Sequence, residues 1–390
     1  MKTEVICGEP SWSLHSDCVS LAVTRDGGHL APVEFAAGNR VISPLHIAPW
    51  AGERDIRGTL PLLRVLRGDF FCMPFGGNAR KWRKEQHPAH GETANSRWAF
   101  RSQSGDANWQ HIHLHLDTSI RKTGVDKILS LRRGDLAIYS RHLITGGRGP
   151  MPVGHHVMLS LAGHEALISL APFSRGQVYP GEFENPALGG YSSLKPGAMF
   201  RTLEKVPLAA GGYADLSRYP AREGFEDLVM VTTKPARIGW SAVTVVDEGY
   251  VWFSLKDPSV LASTVLWHSN GGRHYAPWNG RHRGVIGIEE VTSFFHEGLA
   301  ESAAPNALTA AGYPSALQLD PARPLEVNTI MGVVPVPKGF GRVTSIKETP
   351  GGIRISSSKE KSVIAPCDTG FLFHEEESGK ISQPRSARDF

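Results

Sequence analysis

Short runs in which apolar and polar residues alternate recur along most of the chain, and such alternation marks strands buried on one face. Residues 19–23 lead through Asp26-Gly27-Gly28 into 31–35, which predicts an opening hairpin. Runs at 60–66 and 70–75 flank the tight turn Arg67-Gly68-Asp69 and predict two more strands. From 109 to 116 the alternation is strict, with His111, His113 and His115 on one face and Ile112, Leu114 and Leu116 on the other. Residues 127–132 and 136–144 predict a further hairpin about Gly134-Asp135. Strands are also expected at 153–161, 166–170, 227–233, 242–246, 251–255 and 264–267. Helical patterning is confined to the alanine-rich 299–311, with a single turn at 259–263. Many short strands with turns between them, and no alternation of strand and helix, predict an all-β sandwich or barrel.

Nothing in the pattern divides the chain. One domain over 1–374 is expected, followed by a polar C-terminal tail at 375–390. The 390 residues are 41% hydrophobic and 21% charged, the proportions of a globular protein able to bury a large core. A net charge of +4 without a Lys/Arg run gives no footprint for nucleic acid. Cys7, Cys18, Cys72 and Cys367 lack C-x-x-C spacing, which argues against a structural zinc site. The opening residues lack the apolar core of a secretory leader, and no apolar run reaches membrane-spanning length. A cytoplasmic protein without a membrane partner is therefore expected.

The densest chemistry lies in residues 266–293, which hold three histidines, three arginines, two tryptophans and the pair Glu289-Glu290. Read as a strand, Val285, Gly287, Glu289 and Val291 share one face, and Gly287 leaves a gap beside Glu289 where a ligand could approach. In 153–161 the faces are Val153, His155, Val157, Leu159 and Leu161 against Gly154, His156, Met158 and Ser160. The first face has the composition of a core and the second that of a cavity wall, so His156 is expected toward a ligand. His155 stays open as the alternative. Residues 87–98 read as a loop offering hydrogen bonds from His90 and Asn95 and an aromatic platform. Imidazoles at His111, His113 and His115 could converge on a metal, although no carboxylate or cysteine beside them in sequence completes the set. The chain has no G-x-S-x-G, P-loop or G-x-G-x-x-G motif, which leaves serine hydrolase, nucleotide and dinucleotide chemistry unsupported.

Four segments in order, Arg67-Gly68-Asp69 into Pro74-Phe75-Gly76, His90-Gly91 through Trp98, Gly154-His155-His156, and Gly287-Ile288-Glu289, resemble the aldose 1-epimerase (galactose mutarotase-like) superfamily. The nearest likeness is to its hexose-6-phosphate 1-epimerase-like branch, over residues 19 to 295. The resemblance implies a large twisted β-sandwich with a sugar-binding cleft, Glu289 as general base and His156 as general acid. It likewise implies His90, Arg67 and Asp227 as sugar contacts. The chemistry suits these residue types: a base takes the C1 hydroxyl proton while an acid protonates the ring oxygen, and neither metal nor organic cofactor is required. Trp278, Trp98 and Phe75 could stack on the apolar face of a pyranose.

The chain departs from that pattern at three points. Ala94 stands where the phosphosugar branch carries arginine, Glu290 where proline is usual, and Leu159 where an aromatic is usual. These changes favour a monosaccharide or derivative without a phosphate. They also keep two alternatives in view: a non-catalytic carbohydrate-binding protein, and a metal-dependent isomerase or lyase using His111, His113 and His115 or His268, His274 and His282. On the enzymatic reading, Glu289 and a histidine are expected to face each other across a monosaccharide-sized gap.

Overall fold

The computed structural model describes residues 2–53, 56 and 59–373, so the tail expected at 375–390 lies outside the described residues. Two large antiparallel sheets form the body. One has seven strands in the order Met199–Phe200, Phe173–Val178, Glu226–Thr233, Ser263–Ser269, Val285–Thr292, Val153–Ser160 and Phe71–Cys72. The other has nine, in the order Arg218–Tyr219, Ala166–Leu170, Gly239–Val245, Tyr250–Lys256, Leu325–Pro335, Ala137–Gly146, Thr123–Arg132, Trp109–Asp117 and Ala99–Gly105. This is an all-β sandwich, as the alternation implied.

The main core lies between these sheets. Val157, Leu159, Ile286 and Ile288 of the seven-stranded sheet share a cluster with Ile112, Leu114, Leu129, Val243, Trp252 and Met331 of the nine-stranded sheet. Polar ties cross it, among them that of Tyr219, whose hydroxyl donates to the Ser269 carbonyl at 3.2 Å. Glu290 meets Lys256 at 2.5 Å and accepts from Ser241 and Thr264. His155 Nδ1 meets Asp69 at 2.8 Å, and its Nε2 lies 3.4 Å from Thr329 on the central strand opposite. The central part of the outer face of the nine-stranded sheet is covered by a three-stranded sheet, Val343–Thr349, Gly352–Ser357 and Ser362–Pro366, through Val343, Ile346, Ile353 and Ile355. The outer face of the seven-stranded sheet carries a separate cluster in which Met158, Met230, Val265, Trp267, Val285 and Val291 pack under Trp50, Phe70, Phe75 and Trp278 from the loops.

Three local expectations fail. Residues 60–66 contain a helical turn, Pro61–Arg64, instead of a strand; proline at the first turn has its ring angle preset and lacks only an N–H that would be unpaired there. The helix expected over 299–311 is two pieces, Leu299–Ala303 and Ala307–Ala310. Pro305 interrupts it, and Asn306 caps the second piece by accepting from the Leu308 and Thr309 amides. From 70–75 only Phe71–Cys72 pairs as strand. Among the described residues no helix is long and apolar enough to cross a membrane.

Candidate functional site

Glu289 and His156 are direct cross-strand partners on Val285–Thr292 and Val153–Ser160. The two-residue period puts both on the outer face of the seven-stranded sheet, beside Met158 and Trp267, while Glu290 and His155 face the interior. Glu289 Oε1 lies 3.4 Å from His156 Nε2, and the two residues are only 2% and 6% exposed. The expected monosaccharide-sized gap between them is therefore absent, because paired residues on neighbouring strands are held within contact range. Gly287 makes room for the carboxyl: a Cβ there would sit 2.9 Å from Glu289 Oε1. Burial raises Glu289 to about 8 against a smaller opposing pull from the Arg273 charge. Burial also drives His156 well below its ordinary value, with nearby His90 adding to the effect. Both shifts favour the neutral forms.

Aromatic rings fix the imidazole. Phe70 stacks on His156 at 4.6 Å between centroids, and His90 meets it edge-on at 5.1 Å. His90 holds a left-handed backbone angle, φ 58°, which is uncommon for a residue with a side chain. That conformation places its ring between Phe75 and His156. Burial lowers His90 to about 4, so it is neutral near pH 7. The Nδ1 atoms of His156, His90 and His296 are buried without a protein partner. Trp278 belongs to the same surroundings, 5.9 Å from Trp267.

Arg273 was not singled out by sequence, although it lies within the dense 266–293 stretch. Its Nε donates to Glu184 at 2.6 Å, and its guanidinium sits 4.5 Å from the Trp278 ring and 5.0 Å from Trp267. Burial works against that charge, and Glu184 and Glu226 outweigh it, holding the group above its ordinary value. Glu226 was also passed over, in favour of its neighbour Asp227. It shares a face with Leu228 and Met230 on Glu226–Thr233 and accepts from Trp267 Nε1 at 2.8 Å. Setting the strand phase by those two apolar residues would have found it. Glu184 lies in a loop with no periodic signal.

The structure places several predicted residues away from this pair. Arg67 is fully buried and donates to the backbone carbonyls of Val65, Ile6 and Cys7. Asn95 ties its own loop, accepting from Leu62 and donating to Ala89 and Gly91. Asp227 accepts from the Ser193 and Leu194 amides and the Ser193 hydroxyl, and lines a recess of about 20 Å³, room for a single water molecule. His155 points inward to Asp69. Arg97, near the departure at Ala94, pairs with Asp26.

The histidine row of Trp109–Asp117 meets a carboxylate from the neighbouring strand. His113 and His115 both contact Asp126 Oδ1, at 2.6 and 2.8 Å, while His111 bonds Ser130. Of the second trio, His268 and His282 are buried and His274 is not. Among the described residues, the one group of three with metal-ligating atoms mutually within 4.8 Å is His164, Asp247 and Glu248, which includes none of these six histidines.

No protein-family profile matches the chain, and no curated protein does. Solved structures do. A galactose mutarotase-like protein from Clostridium acetobutylicum superposes with a TM-score of 0.59 at 12% identity, covering 86% of this chain and 98% of its own. The fold is that of the galactose mutarotase-like proteins. A candidate aldose 1-epimerase from Escherichia coli K12 gives 0.56 at 12% identity over 84% of this chain and 99% of its own. The galactose mutarotase related enzyme from Lactobacillus acidophilus gives 0.53 at 10%, over 84% and 99%. In this mutarotase-like sandwich the Glu289–His156 pair sits on the outer face of the seven-stranded sheet, on its fifth and sixth strands, next to the short edge strand Phe71–Cys72.

Proposed function

We propose that the protein interconverts the anomers of a monosaccharide by acid–base ring opening, with Glu289 and His156 as the proton-transfer pair. The observation that carries this reading is the 3.4 Å contact between a buried carboxyl and a buried imidazole on the outer face of the seven-stranded sheet. Anomer exchange moves a proton off the C1 hydroxyl and another onto the ring oxygen. Both oxygens are bonded to the same carbon, so two adjacent groups can serve them together from a sugar lying over the pair.

The pair must hold one proton between them. As carboxylate and imidazolium, Glu289 takes the hydroxyl proton while His156 protonates the ring oxygen. After rotation about the opened C1, closure returns both protons. Burial favours the other tautomer at rest, carboxylic acid beside neutral imidazole, which carries the same proton count. His90 and the Trp278 face supply hydrogen bonding and stacking, and no step calls on a metal or organic cofactor. The absence of arginine at Ala94 and the Asp26 pairing of Arg97 support a sugar without a phosphate.

Polarimetry or NMR over a panel of free aldoses tests this. Glu289→Gln is expected to lose ~10²–10⁴-fold of the acceleration, the range for positioned proton transfer. Wild-type protein no faster than buffer on every sugar would overturn the proposal.

A further inference from the structure

A second acid–base assembly lies on the same outer face, separated from the first by Trp267. The Trp267 ring meets His156 edge-on at 5.9 Å and stacks on His282 at 5.2 Å. His282 Nδ1 is 2.6 Å from Ser269 Oγ, and that oxygen is 3.0 Å from Glu226 Oε1. Glu226 also accepts from Gly272 N at 3.0 Å and Trp267 Nε1 at 2.8 Å, so both of its oxygens are engaged. His282 Nε2 is buried without a protein partner, in surroundings made by His46, Trp50, Trp267 and Trp278.

Ser269 has one hydroxyl hydrogen, and this couples the two ends. With Glu226 ionised, Ser269 donates to the carboxylate, His282 Nδ1–H donates to Ser269, and Nε2 is left as a bare acceptor. With Glu226 protonated, the carboxyl donates to Ser269, Ser269 donates to Nδ1, and the ring hydrogen moves to Nε2, which becomes a donor. One proton accepted at Nε2 is thus balanced by Nδ1–H passing to Ser269 and the serine hydrogen passing to Glu226, with no other species consumed.

We propose that Glu226, Ser269 and His282 form a proton relay that sets whether His282 offers the ligand a donor or an acceptor, making it a specificity-determining element for the sugar's hydroxyls. This deepens the anomer-exchange reading and rests on it for the identity of the ligand. The groups facing the relay permit such switching in the neutral range. Burial raises Glu226 to about 7, with Arg273 opposing and Glu184 assisting, and Tyr219 lies close by. Burial holds His282 well below its ordinary value, and His46, Arg273 and His156 add to that, so the ring stays neutral while its hydrogen changes sides.

The test uses the full chain with ¹⁵N-labelled histidine, His282→Gln assigning the signal, and thermal melts confirming that each variant is folded. Wild type is expected to pass from the Nε2–H to the Nδ1–H tautomer of His282 as pH rises through about 7. Glu226→Gln and Ser269→Ala are each expected to abolish that transition, and Ser269→Thr, which keeps the hydroxyl, to restore it. A wild-type ring in one tautomer throughout, or an unchanged transition in Glu226→Gln, overturns the relay. This readout needs no turnover, so the relay can stand if every sugar fails. Where turnover is seen, Glu226→Gln should remove a KM inflection near neutrality, whereas Glu289→Gln removes the turnover itself.

Discussion

Glu289 and Glu290 are neighbours in the chain that reach opposite faces of one sheet. Glu289 ends 3.4 Å from His156 on the outer face, and Glu290 ends 2.5 Å from Lys256 inside the sandwich. Their chemistry diverges accordingly. The outer carboxyl has no full counter-charge and is pushed toward its protonated form. The inner one is surrounded by an ammonium and two hydroxyls.

The pH dependence follows from the proton count of the outer pair. Below about 8 the Glu289–His156 pair retains its single proton. Above that it becomes carboxylate beside neutral imidazole, with a base but no acid. Turnover is expected to fall as pH rises through about 8 and to recover on back-titration, read from initial rates of anomer exchange.

The same shift has a stability consequence. Glu289 has a folded value of about 8 against an ordinary 4.5, so folding takes up a proton between these values. Its stabilising contribution is complete below 4.5 and is lost as pH rises through 8. Glu289→Gln has no such loss. The variant should become increasingly more stable than wild type across that interval, with the difference level above it, in urea titrations at stepped pH.

Gly287→Ala tests whether the carboxyl needs the gap beside it. The added methyl would lie 2.9 Å from Glu289 Oε1 and 3.1 Å from Trp267 Cβ. The carboxyl can swing away, so the fold should survive with a small drop in melting temperature. Displacing a reacting group by about 1 Å can cost on the order of 100-fold, and kcat should fall accordingly.

Lys256→Met leaves Glu290 buried without its counter-charge. A loss of about 3–5 kcal/mol is expected in urea denaturation, and Lys256→Met with Glu290→Gln should recover most of it. A single substitution no worse than a surface change would show that the Lys256–Glu290 contact contributes nothing to stability.

Arg67→Lys separates sugar contact from architecture. Arg67 donates to three backbone carbonyls, including those of Ile6 and Cys7. Lysine lacks that fork. The melting temperature should fall while the KM of the folded fraction is unchanged; a raised KM at unchanged stability would return Arg67 to the site.

Strands with one core face and one wetter face were legible because alternation exposes them: Trp109–Asp117 alternates buried Ile112, Leu114 and Leu116 with partly exposed histidines. Leu325–Pro335 was missed for the opposite reason. It is covered on both sides over most of its length, so Val327 to Val334 carries no two-residue signal. The faces of Val153–Ser160 and Val285–Thr292 followed from strand geometry and from the residue types on each side, although both strands are buried along nearly their whole length. Asp227 came from the family resemblance alone, whereas it is its neighbour Glu226 that shares the face of Trp267, since adjacent residues of a strand point to opposite faces. Arg273 and Glu184 meet only through the fold, across 89 positions of sequence.

Leu325–Pro335 occupies the centre of the nine-stranded sheet, between Tyr250–Lys256 and Ala137–Gly146. During synthesis, both neighbouring strands leave the ribosome well before it and wait with unpaired backbone edges. The pairing of the nine-stranded sheet can therefore be completed only after residues 325–335 have been made. Such non-local pairing is slow, and the two waiting edges are where a nascent chain would be open to chaperone capture or to mispairing with another copy.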